Sequence, residues 1–154
     1  MAYEVVHFRD SDEILKGKEI EKEIRQLLDH VDQILHGSFA TSKQLKEALK
    51  ERGWREDGTL EILEKRKYRY MGYKSRVGLE ANFSSYEYIQ PALFKLQLGF
   101  DKGRLDTGLV LLTGLRGMKT PYGSTLELVE WEVEHLFPTI SMPLSVVLFD
   151  ARLV

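Results

Sequence analysis

The order of elements along this 154-residue chain predicts an α/β (α+β) architecture, a central mixed β-sheet flanked by helices. Three observations carry that expectation. Apolar residues recur at three- and four-residue intervals from Ile20 to Leu35; a ribbon of alternating residues follows as far as Phe83; and two largely apolar runs, Arg104 to Leu112 and Leu144 to Phe149, have the character of buried strands.

Each element has its own warrant. Tyr3 to Phe8 (YEVVHF) is β-branched and aromatic, as a first strand requires. Ile20, Ile24, Leu27, Leu28, Val31, Ile34 and Leu35 fall on one stripe of a helix that stops near Gly37. A shorter helix from Thr41 or Ser42 presents Leu45, Ala48 and Leu49 before Gly53 ends it. Asp57-Gly58 is a turn signal, after which the ribbon begins. Pro91 suits the first turn of a helix from about Tyr88, where its missing N–H is not needed. Ser124 with Glu127 forms a capping box for a helix through Leu136, ended by Pro138. No internal repeat or low-complexity linker interrupts the chain, and its length suits one domain.

Composition narrows the chemistry. Hydrophobic residues at 43% and charged residues at 30% are globular values. The net charge of −2 gives no global attraction to phosphate, so any affinity for nucleic acid must come from a local patch. The absence of cysteine excludes disulfides, thiolate zinc sites and cysteine nucleophiles, and is compatible with a reducing compartment. The start MAYEVVHFRDSDE lacks a basic flank and a long apolar stretch, so a cytoplasmic, soluble protein is the expectation. The four histidines are scattered, and the glycine-rich loop TGLRGMKTPYGS lacks the arrangement of a nucleotide-binding P-loop.

Two stretches point to a site. On an extended Val77 to Phe83, Glu80 and Asn82 share one face, the spacing at which a carboxylate can hold a divalent ion while its neighbour orients water. The same spacing also suits a solvent-facing polar edge. Just upstream, Lys65 to Arg76 carries six cations and three tyrosines without an acid. Lys65, Arg66, Lys67, Arg69, Lys74 and Arg76 suit a path for a phosphate backbone, or equally lysines that guard an exposed ribbon edge against pairing.

VGLEANF (Val77 to Phe83), LFKLQLGF (Leu93 to Phe100) and RLDTG (Arg104 to Gly108) resemble three motifs of the BglII and BstYI type of restriction endonuclease, in the PD-(D/E)XK superfamily: V-x-x-E-x-Q-F, LF-x-x-x-x-x-F and K-I-D-V-G. The amino-terminal YEVV strand and Gly53-Trp54 extend the likeness. The resemblance implies a restriction-endonuclease-like core, double-stranded DNA as partner, a homodimer, and Mg²⁺ as cofactor if the protein is active.

It also exposes a departure. The family carries a second acid nine residues before its strand glutamate, and counting back from Glu80 reaches Met71. A thioether is a poor ligand for a hard cation. The motif's last position, glutamine in this branch, is Asn82 here. Among acids available to substitute, Glu23 and Glu64 are the candidates, with Glu19 and Glu61 beside them; each also reads as a surface glutamate. The expectation is a DNA-binding protein whose metal-dependent phosphodiester hydrolysis is impaired or lost. Its rivals are an active endonuclease with a relocated acid and a regulatory scaffold that binds protein.

Overall fold

The computed structural model describes residues 3–37, 41–63, 65–66, 68–84, 86–114 and 124–150. In chain order these form β1 (Tyr3–Phe8), α1 (Ser11–Gly17), α2 (Glu21–Gly37), α3 (Thr41–Glu51), β2 (Glu61–Leu63), β3 (Tyr68–Arg69), β4 (Gly72–Lys74), β5 (Val77–Ala81), a 3-10 turn (Tyr86–Tyr88), α4 (Ile89–Asp101), β6 (Thr107–Thr113), α5 (Leu126–His135) and β7 (Leu144–Phe149). Five strands make one mixed sheet in the order β1-β7-β6-β5-β4. The three central strands β7, β6 and β5 run parallel, while β1 and β4 lie antiparallel at the two edges.

The two apolar runs occupy the middle of the sheet, and every residue of β6 and β7 is buried. Helices cover both faces, so side chains alternate between two apolar layers instead of between core and water. Leu109, Leu111, Val147 and Phe149 pack with Leu27, Leu28, Val31, Leu45, Leu49 and Trp54 from the α2 and α3 side. Val110, Leu112, Val146 and Leu148 pack with Leu93 and Leu96 of α4 and with Val129 and Val133 of α5. Full burial of each such side chain contributes about 1.5–3 kcal/mol.

A buried polar chain ties α1 to this sheet. Thr107 Oγ1 donates to the Pro143 carbonyl at 3.0 Å, so the Ser11 hydroxyl, 2.8 Å away, must donate to Thr107. Ser145 then donates to Ser11 at 2.7 Å, which leaves His7 Nδ1 as the donor to Ser145, also at 2.7 Å. Each hydroxyl has one proton, and together these bonds set the direction of the chain.

Some expectations need correction. Helix α1 was not foreseen, because seven residues with Leu15 as their buried apolar side chain display no helical period. Thr125, not Ser124, caps α5: its Oγ1 accepts the Leu128 N–H at 3.2 Å. Strand β6 begins at Thr107, not Arg104, because Arg104 lies in the turn that closes α4. Its N–H bonds the Gly99 carbonyl, and Gly103, at φ 71°, bonds that of Phe100, a paired closure that favours glycine in the left-handed region. The ribbon also divides, β4 and β5 joining the main sheet while β2 and β3 pair separately. Among the described residues no helix is long and apolar enough to cross a membrane.

Candidate functional site

Strand β5 is registered against β6 so that Glu80 faces Val110, and both therefore point into the layer beneath α4. What lets α4 come close is Gly78, one pleat away on the same face. A Cβ there would stand 2.7 Å from Leu105 Cδ2 and 2.8 Å from Leu96 Cδ2. Lys95, the neighbour of Leu96 on α4, reaches Glu80 across this close packing, with Nζ 3.0 Å from Oε1.

The other carboxylate oxygen is also engaged. Met71 donates its backbone N–H to Glu80 Oε2 at 2.6 Å. Glu80 is 7% exposed, and burial pushes its carboxyl above the ordinary glutamate range, while Lys95, the Met71 N–H and Arg55 pull the other way. Arg55 is anchored beside it, donating from Nη1 to the Met71 carbonyl and standing 3.9 Å from Met71 Sδ. The Met71 side chain packs against the α2–α3 layer near Ala81 and Phe83. Lys95 Nζ also lies 5.5 Å from the centroid of the Tyr68 ring, a cation–π distance. One acid thus pairs with one lysine and feels the charge of a nearby arginine.

The remaining residues singled out in the sequence fall as follows. Asn82 Oδ1 accepts from the Ser84 N–H at 3.0 Å and from the Ser84 hydroxyl at 2.7 Å, and Asn82 lines an open hollow of about 390 Å³ with Ser42, Leu45, Met71, Ala81, Phe83 and Ser84. Glu80 instead reaches toward α4. Glu23 on α2 pairs with Lys74, which also donates to the Arg52 carbonyl at 2.8 Å. Arg69 approaches Glu61 at 3.4 Å, and Arg76 is held by Asp106 and the Gly103 carbonyl. Lys65 and Arg66 are exposed in the turn between β2 and β3. Glu64, Lys67 and the glycine-rich loop from 115 to 123 lie outside the described residues.

Sequence reasoning missed Lys95 and Arg55. The available signal was that Lys95 is the one charged residue between Ile89 and Gly99, in a helix whose other positions there are uncharged. An isolated cation in such a helix needs a counter-charge, and the nearby strand offers one.

Mg²⁺ takes near-octahedral oxygen ligation from one or two carboxylates, waters and phosphate. Here the strand glutamate has N–H donors on both oxygens, a thioether stands at position 71, and no three His, Asp or Glu side chains gather among the described residues. The described residues do not fit a magnesium centre.

The comparisons with known proteins bear on the whole chain. A family model described as restriction endonuclease BglII/BglIII matches residues 3–149. Two solved structures resemble the fold. The restriction endonuclease BglII complexed with a DNA 16-mer aligns over 97% of this chain and 77% of its own, at 13% identity and a TM-score of 0.68. Free BglII aligns over 97% and 79%, at 13% identity and a TM-score of 0.59. No curated protein matches the sequence.

Proposed function

This chain belongs to the BglII/BglIII family of restriction endonucleases, and from that premise we propose that it binds double-stranded DNA while its metal-dependent phosphodiester hydrolysis is impaired or lost. The observation that carries the reading is the state of Glu80, whose two oxygens are taken by the Met71 N–H and the Lys95 ammonium at the place where a divalent ion would need them. Hydrolysis by such an ion requires it to activate water or to polarise the phosphate. Without open carboxylate oxygens, neither role has a seat. Support for DNA as the partner comes from the family and from the BglII structure that holds a DNA 16-mer.

Supercoiled plasmid incubated with Mg²⁺ or Mn²⁺ tests this. The expected outcome is no cleavage above that of the Glu80→Ala variant. Metal-dependent nicking by the wild type that this substitution abolishes would establish an active endonuclease instead.

A homodimer belongs to the same proposal. Helices α4 and α5 are joined at their surfaces by Gln90 and Glu132, and beside that contact Phe94, Leu128 and Trp131 are left exposed, Trp131 at 57%. Large exposed apolar side chains grouped on neighbouring helices mark an association surface. Sedimentation should show a dimer that Trp131→Glu converts to a monomer; a wild-type monomer at micromolar concentration would refute it. The lack of cysteine is compatible with a cytoplasmic location.

A further inference from the structure

We infer that the Glu80 site has reversed its polarity, and that Lys95 and Arg55, positioned by Glu80 and the Met71 backbone, bind a DNA phosphate directly and without a divalent ion. The inference rests on the proposed DNA-binding role and assigns that role to two residues outside the basic ribbon. Its ground is the mismatch between this donor set and a metal centre, together with what has replaced it.

The geometry has three parts. An ammonium has three donors, and Glu80 takes one at 3.0 Å. Lys95 is neither sealed nor loose: its side chain keeps 27% of its surface, and the Tyr68 ring stands against it. A guanidinium has five N–H donors, and Arg55 is fixed through one terminal nitrogen on Met71, so its fork is oriented before a ligand arrives. Two cations against one carboxylate leave the site positive, in a position where burial weakens solvent screening.

The basic stretch from Lys65 to Arg76 is less suited to the task than its composition suggests. Lys74 is committed to Glu23 and to the Arg52 carbonyl, and Arg76 to Asp106 and the Gly103 carbonyl. Lys95 and Arg55 have a different arrangement. Glu80 is mostly buried and orients the Lys95 ammonium while offsetting only part of its charge, and Arg55 is oriented by the Met71 carbonyl. Glu80 is then a positioning residue and touches no substrate.

Duplex DNA binding, measured across a salt series in EDTA and again in Mg²⁺, tests this with four proteins: the wild type, Glu80→Gln, Arg55→Gln and the double variant Glu80→Gln/Lys95→Gln, which leaves no buried charge unpaired. Thermal melts verify that each is folded. The wild type should bind equally in EDTA and Mg²⁺. Glu80→Gln should bind about threefold tighter, and the salt slope should fall by about 1 in Arg55→Gln and, relative to Glu80→Gln, by about 1 in the double variant. Affinity that requires Mg²⁺, or a salt slope unmoved in Arg55→Gln and equally unmoved between Glu80→Gln and the double variant, would overturn the inference while leaving the DNA-binding reading in place. A wild type that retains no DNA at low salt would overturn both.

Discussion

Glu80 and Asp106 are both carboxylates held by cations, yet the protein shifts them in opposite directions. Asp106 accepts from Lys18 at 2.6 Å and from Arg76 Nε at 3.2 Å to each oxygen, with 39% of its side chain exposed, and these partners hold it below the ordinary aspartate range. Glu80 also has a lysine within hydrogen-bond distance, and a backbone donor besides, but lies above the glutamate range because burial is its largest influence. Partner count does not set the sign; access to water does. At the surface a cation is enough to favour the charged acid. Beneath α4 the same contact only offsets part of the cost of removing a carboxylate from solvent.

The sharpest way to break this comparison is to remove the cation from the buried acid. Lys95→Met strands a buried carboxylate and should lower stability by about 3 kcal/mol in urea unfolding. A cost under about 1 kcal/mol would mean that Glu80 is far better hydrated than its burial indicates.

A smaller effect separates the two acids by pH. Glu80, raised in the folded state above its reference of 4.5, binds protons more readily folded than unfolded. Its contribution to stability is therefore present at low pH and is lost as pH rises from that reference through the raised value. Asp106, lowered from 3.8, contributes stability above that value and loses it as pH falls through its folded pKa. Denaturant midpoints across this range should lose their alkaline-going decline in Glu80→Gln and their acid-side decline in Asp106→Asn. Parallel profiles in the two variants would contradict the assignment.

The smallest effect belongs to the exposed network itself. At pH 7, Asp106→Asn should cost only about 0.5 kcal/mol by the same urea measurement, because surface ion pairs give back most of their attraction to solvent and side-chain entropy. A loss above about 2 kcal/mol would place Asp106 energetically with Glu80 and erase the contrast.

Much of the frame was legible before any coordinates. The stripe from Ile24 to Leu35 lies on α2 with Ile20 just before it, the run from Leu144 to Phe149 is β7, and Pro91 falls in the first turn of α4. These are local patterns, repeated often enough to outweigh any one residue. Helix α1 escaped because seven residues are too few to show a period, and it is held instead by distant partners such as Thr107 and Ser145. The capping oxygen moved one position, from Ser124 to Thr125, because both residue types satisfy the motif and only the backbone path selects between them. At the site, Glu80 was recognisable as an acid on a strand. Its companions were not: Lys95 reaches it from the next helix, and Arg55 through the backbone of Met71.

Apolar periodicity and the loss of an acid at position 71 are written in the chain itself, since each depends only on residue type and spacing. Whether the glutamate nine residues later meets a metal, water or an ammonium depends on how closely α4 approaches β5, and Gly78 permits that approach because a Cβ there would stand less than 3 Å from Leu96 and Leu105. Charges pair according to separation and solvent access, and those two quantities exist only once helix and sheet have packed.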